Sequence, residues 1–221
     1  MARDSAETRE KLLRAAEYLF ARQGLDVPIR DIHALAGQRN ASALHYHFGG
    51  KRELVLAILE KHTPSPDEIE AIRADLRARV HEPRSVVEAI VRRFCAQLAN
   101  PEGRDHIRLT FQITIRAPVR RNLLVDGLED PWDTTLAAET ALIRESLPHL
   151  PEDVVRERAV AGLLFVLLQV AERARIVDDE DDTQLLDEDD FVTNLIDMTT
   201  AALTAPVSTT AAMTGAARGT P

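Results

Sequence analysis

Apolar positions recur every three to four residues along most of this 221-residue chain, the period of helices packed by one face. In residues 6–23 the stripe is Leu12, Leu13, Ala16, Leu19 and Phe20, and Gly24 supplies the stop. Residues 28–36 predict a second, short helix. Pro28 suits its first position, Ile29, Ile32, Leu35 and Ala36 form its apolar face, and Gly37 ends it. A third helix is predicted over 40–48, with Asn40 as N-cap and the Gly49-Gly50 break after Phe48. A fourth, 51–62, carries Leu54, Val55, Ile58 and Leu59, and TPSP at 63–66 then reads as a linker or hinge.

Further helices are predicted at 67–80, 84–99, 103–116, 131–147, 151–177 and 188–204, punctuated by prolines. Residues 106–116, HIRLTFQITIR, alternate like a strand and are rich in β-branched side chains. No second strand pattern exists to pair with them, so a helix buried on two sides is the better reading. From Ala205 to Pro221 bulky apolar residues nearly vanish, which predicts a disordered tail.

The second and third helices are joined through Gly37-Gln38-Arg39, with a helix in front to complete a core. That is the helix-turn-helix pattern. Winding 40–48 at ~100° per residue puts Ala41, Leu44 and Phe48 on one side and Ser42, Ala43 and Tyr46 opposite, with His45 and His47 on the flanks. A narrow apolar edge under a broad polar and aromatic surface suits contact with something polar. His45 and His47 point ~200° apart on a helix and cannot share one metal ion. The Gly-Lys at 50–51 lacks the earlier glycine and following hydroxyl of a phosphate loop.

Gln38, Arg39 and Asn40, at the start of the third helix, can reach base edges, Arg favouring guanine and Asn or Gln adenine. Ser42 suits a base or a phosphate, His45 either, and Tyr46 and His47 the sugar-phosphate backbone. Lys51 can pair with a phosphate at a helix start. Arg30 and His33 can position the backbone. Arg30 can equally form a surface ion pair with Asp31, and Tyr46 can be a partly packed core residue.

The whole-chain charge of −9 argues against a polyanion partner, but it is uneven. Residues 1–62 hold 10 Lys and Arg against 8 Asp and Glu, leaving 17 against 28 for the rest from totals of 27 and 36. A local basic surface matters more than the sum. Aromatics are only 4% and glycines nine, which favours helices over a many-turned sandwich. A single cysteine, Cys95, excludes an internal disulfide. The charged start and the absence of a long apolar run predict a cytoplasmic protein with no membrane partner. No cofactor and no metal site is expected. The acidic run 178–190 lacks the EF-hand ligand spacing and reads as a solvated loop.

The stretches LFARQG, PIRDIHALAG and LHYHFGGKREL, with Tyr46-His47-Phe48-Gly49-Gly50-Lys51 the most specific, resemble the TetR family of bacterial transcriptional repressors. The resemblance covers a little over a quarter of the chain. It implies an all-helical homodimer, a divergent C-terminal ligand lobe and ligand-controlled release from operator DNA. The turn GQRNASA is one residue longer than the family's usual form, which puts the register of Gln38 to Ser42 on the bases in doubt. Val27-Pro28 stands where a threonine is usual, so a hydroxyl contact to phosphate is missing.

The fold expected is therefore all-α. It has an N-terminal three-helix helix-turn-helix domain, 1–50, and a larger C-terminal helical dimerisation and ligand-binding domain, 51–204, with helix 51–62 as connector and 205–221 as tail. Segments 151–177 and 188–204 carry more apolar surface than one small domain hides. Two such helices from each chain would form a four-helix interface, with Val160, Leu164, Leu167 and Leu195 as its residues, though both helices could also be internal core. A small-molecule pocket is expected from Phe94, Cys95, His106, Phe111, Gln112, Trp132, Phe165 and Gln169, each of which could equally be core packing. The function expected is a ligand-responsive dimeric regulator, a repressor in form, on a palindromic double-stranded operator. The alternatives are an all-helical enzyme, for which no catalytic motif is present, and a helical interaction adaptor.

Overall fold

The computed structural model describes residues 2–40, 42–62, 64–78, 82–116, 142–179 and 186–207, and all regular structure among them is helical. In chain order the helices are α1 (Ala2–Gln23), α2 (Ile29–Leu35), α3 (Ala43–Phe48), α4 (Lys51–His62), α5 (Pro66–Ala78), α6 (Pro83–Cys95), α7 (Pro101–Arg116), α8 (Glu152–Asp178) and α9 (Glu188–Thr204), with a 3₁₀ turn at Ala96–Ala99. Of the predicted segment 131–147, residues 142–146 are helical and those before 142 lie outside the described residues.

The strand-like run 106–116 is the second half of α7. Ile107, Leu109, Thr110, Ile113 and Thr114 are all buried, and at ~100° per residue they form one broad face rather than the two buried sides expected, with Ile115 of the same alternation 51% exposed. The Thr114 hydroxyl donates to the Thr110 carbonyl at 2.8 Å, which satisfies a β-branched polar residue without leaving the helix. The TPSP run is more than a linker. Ser65 and Glu68 form a capping box around Pro66, Glu68 accepting from the Ser65 amide at 2.8 Å and Ser65 from the Glu68 amide at 3.3 Å.

The chain divides into two compact units. One is Met1–Pro64 with Gln97–Asp133 and Ala171–Asp181; the other is Ser65–Ala96 with Thr134–Val170 and Asp182–Pro221. In the first, Leu12, Ala16, Phe20, Ile32 and Leu44 of the first three helices share one core with Leu54 and Ile58 of α4 and Leu109 and Ile113 of α7. The expected boundary at residue 50 falls inside this cluster, because α4 and α7 cover the open side of a three-helix group too small to bury its own apolar face.

In the second unit α6 packs along α9, and Val87, Val91, Val166, Leu167, Leu195 and Ile196 are all buried. Leu167 and Leu195, expected at a dimer interface, are 1% and 2% exposed within a single chain. They are this unit's own core and have no surface to offer a partner. The Arg158 guanidinium donates to the carbonyls of Leu203 at 2.9 Å and Ala205 at 2.5 Å. Residues 205–207 are thus held in place where a free tail was expected; the rest of that tail lies outside the described residues.

Candidate nucleic-acid interface

The turn between α2 and α3 is set by local hydrogen bonds. Ala36 closes the helix on the Ile32 carbonyl at 2.9 Å, and Gly37, at φ 66°, turns the chain into the left-handed region that a side chain disfavours. Asn40 Oδ1 accepts the Ser42 amide at 3.0 Å, so this residue makes an Asx turn ahead of the helix instead of capping it directly. α3 therefore begins at Ala43, not at residue 40, and the connection runs over 36–42, longer than the three residues expected. The shift moves Ala43 from the outer face to the core, where it is buried beside Leu44.

His33 is also buried. Its Nε2 accepts the Leu44 amide at 3.3 Å, which fixes α3 against α2 and removes this imidazole from any outward role. Lys51 is likewise turned inward: its ammonium donates to the Val27 carbonyl at 2.6 Å and lies 5.6 Å from the Phe20 ring. The residue expected to meet a phosphate thus pins the start of α4 to the loop ahead of α2.

What remains on the surface is a polar and aromatic face. Arg39, Asn40, Ser42, His45 and Tyr46 are exposed, with Gln38 and His47 half-buried. Tyr46 is 80% exposed, which excludes the core-packed alternative, and His47 meets its ring edge-on at 5.0 Å. The His45 Nδ1 donates to the Gly49 carbonyl at 2.9 Å, holding that ring along the helix. Arg30 stands exposed on α2, its Nε 3.4 Å from Asp31, so the surface-pair reading of this residue holds at least in part. A short helix that turns a tyrosine and imidazoles outward, behind a tight glycine turn that exposes an arginine, has the form of the recognition element of a helix-turn-helix domain.

Residues 12–58 match the family model described as bacterial regulatory proteins, tetR family. The matched stretch runs from within α1 through α2 and α3 into α4. Among solved structures it is similar to NalD, the secondary repressor of the MexAB-OprM multidrug efflux pump in Pseudomonas aeruginosa, in two crystal structures. They are 18% and 20% identical, with a TM-score of 0.57 in each, and cover 92% and 93% of this chain and 100% of theirs. A gamma-butyrolactone receptor (ArpA-like protein) is 20% identical with a TM-score of 0.49, covering 89% of this chain and 98% of its own. No curated protein matches the chain. No described helix is long and apolar enough to cross a membrane.

The residues expected to form one pocket are divided between the two units. His106, Phe111 and Gln112 belong to the first unit, whereas Phe94, Cys95, Phe165 and Gln169 belong to the second; Trp132 lies outside the described residues. The second unit instead has a narrow apolar cleft, with a free volume of about 20 Å³, lined by Val87, Ile90, Ile143, Gly162, Leu163 and Thr199 among others. None of the seven expected residues that are described lines it. Aromatic side chains marked the expected pocket, whereas this cleft is walled mainly by aliphatic ones. Thr199, the polar residue among those lining it, is 3% exposed; its hydroxyl is buried with no hydrogen-bond partner and its methyl lies toward Gly162.

Proposed function

We propose that this chain is a ligand-responsive, homodimeric transcriptional regulator. The observation that carries the reading is the outward face of α3, with Tyr46 80% exposed beside Arg39, Asn40, Ser42 and His45 on a domain of the tetR-family type. Arg39 and Asn40 read base edges; Tyr46, His45 and His47 press on the sugar-phosphate backbone, with Gln38 and Arg30 at the rim. Lys51 serves indirectly by seating the domain. Two copies related by a two-fold axis read a palindromic operator in successive major grooves, roughly 34–36 Å apart. The chain acts by occupying DNA in the cytoplasm, with no chemical step, and a repressor is the form favoured by the similarity to NalD.

Dimerisation falls to the outer faces of α8 and α9 in the second unit. Leu168 and Met198 are 45% and 49% exposed there, and Leu164 and Val160 are partly so. The aliphatic cleft, whose free volume of about 20 Å³ is about that of one water, would have to open to admit a small, largely apolar effector. Effector binding releases the operator if it favours a protein state with mismatched recognition helices, and linkage then requires DNA to weaken effector binding by the same factor.

The test is selection of duplexes from a random pool by the full chain, followed by affinity against salt. A palindromic consensus whose affinity falls steeply with salt supports the reading. Failure to enrich any sequence, together with salt-insensitive binding to protein partners, would replace it with an interaction adaptor.

A further inference from the structure

Within the first unit, Glu17 of α1, His62 at the end of α4 and His106 of α7 bring a carboxylate oxygen and two imidazole nitrogens within 4.8 Å of one another. Glu17 is 3% exposed, deep for a carboxylate. Its two oxygens are separately engaged. Oε1 is bonded to His62 Nε2, and Oε2 accepts from the Lys61 ammonium at 3.0 Å. The His62 and His106 rings stack, with centroids 4.0 Å apart and planes at 20°.

Lys61 alone would satisfy the charge of Glu17. His62, bonded to the same carboxylate, and His106, stacked on His62, are more than an ion pair requires. Burial, aided by the nearby positive groups, pushes His106 down to about 3, so at neutral pH its ring is uncharged and keeps a lone pair. Burial works to raise Glu17, but hydrogen bonds and charge from His62 and Lys61 outweigh it and hold the carboxyl below its usual range. One carboxylate and two imidazoles are a donor set that suits a borderline divalent ion, and three protein ligands leave a fourth position open.

We propose that Glu17, His62 and His106 form a binding site for a divalent transition-metal ion of the zinc type. Bonds of about 2.0–2.2 Å to a tetrahedral ion bring donor atoms to roughly 3.3 Å from one another. Contraction from the present spread needs the two rings to turn out of their stack. Glu17 Oε1 passes from His62 to the ion while Oε2 keeps Lys61, whose ammonium orients the carboxylate as outer partners of metal ligands do. The same ammonium repels the ion, so the site favours a tightly ligated ion over Mg²⁺ or Ca²⁺, which want oxygen donors. The ligands sit 45 and 44 positions apart in sequence and match no spaced motif.

The test uses untagged full-length protein stripped with chelator and titrated with Co²⁺, then with Zn²⁺. The expected result is one Co²⁺ per chain with the visible absorption of a four-coordinate site, its displacement by Zn²⁺, and a rise in Tm on Zn²⁺ addition. Glu17→Gln and His62→Gln, which keep side-chain size, should each weaken binding by more than about 100-fold, beyond what loss of an outer partner costs. A His45→Ala/His47→Ala double variant should bind as the wild type does. No Co²⁺ spectrum and no Zn²⁺-dependent Tm rise in the wild type overturns the proposal. So does unchanged affinity in both Glu17→Gln and His62→Gln, or loss of binding in the double variant.

Discussion

Arg22 Nη2 and Asp178 Oδ2 lie 2.9 Å apart, joining the last turn of α1 to the last residue of α8 across 156 positions of sequence. Asp178 gathers two more guanidinium groups, Arg104 at 2.6 Å and Arg108 at 3.1 Å, and its own side chain is only 9% exposed. Arg22 also pairs with Asp105, whose carboxyl is raised by burial against the opposing pull of Arg22. Removing one charge from such a group leaves the others buried and uncompensated, which outweighs the modest net worth of an intact pair.

Asp178→Asn should therefore lower the free energy of unfolding by about 3 kcal/mol. In urea this would appear as a lower midpoint with an unchanged slope. An unchanged midpoint would show that the three arginines find water or other anions at no cost.

Arg39→Ala should leave stability unaltered, since the side chain is exposed. On the selected operator it should cost about 1–3 kcal/mol, while binding to scrambled duplex changes little. Tyr46→Ala should weaken both by similar factors, because a backbone contact carries no sequence information. Mobility-shift titrations on matched and scrambled duplexes check both. Reversal of the two patterns would exchange the roles assigned to these residues.

Glycine to alanine inside a helix ordinarily stabilises by about 1 kcal/mol. Gly103 in the first turn of α7 should do the opposite. A Cβ there would overlap the Gln97 carbonyl, and the contact is backbone, which cannot swing aside. Asn100 Oδ1 accepts the Gly103 amide at 2.8 Å, so the turn is held from both sides. Gly103→Ala should destabilise by about 1–3 kcal/mol, the range for overpacking, read by thermal or urea unfolding.

Periodicity and punctuation located the described helices well. α4 and α9 have the bounds that spacing predicts, and even the alternating run of α7 could be assigned by asking where a lone strand would find partners. Direction was harder to read. Lys51 is a basic residue at a helix start, and nothing local says that its ammonium turns inward to Val27. Asp178 heads a run of acids that looks solvated, and its three arginines come from α1 and α7. Leu167 and Leu168 are equivalent as letters, yet one is core and the other surface, because an all-round apolar helix does not reveal which side its own chain covers. The grouping of Glu17, His62 and His106 was hidden for the same reason: tertiary packing of α1, α4 and α7 assembles it, and of the three only His106 was singled out, as a pocket residue.

That difference between neighbouring leucines gives a decisive test of the dimer face. Leu168→Glu introduces a charge at a position 45% exposed in the single chain, so the protomer tolerates it, but in a two-fold interface it would meet its own copy or an apolar wall. The variant should keep its helical circular dichroism and elute as a monomer. Leu167→Glu buries a charge at a position 1% exposed and should fail to fold, or lose several kcal/mol of stability. Met198→Glu on α9, at 49% exposed, should behave as Leu168→Glu does. Light scattering after gel filtration, with circular dichroism on the same fractions, separates the cases. Folded dimers from both Leu168→Glu and Met198→Glu would place the interface elsewhere on the chain.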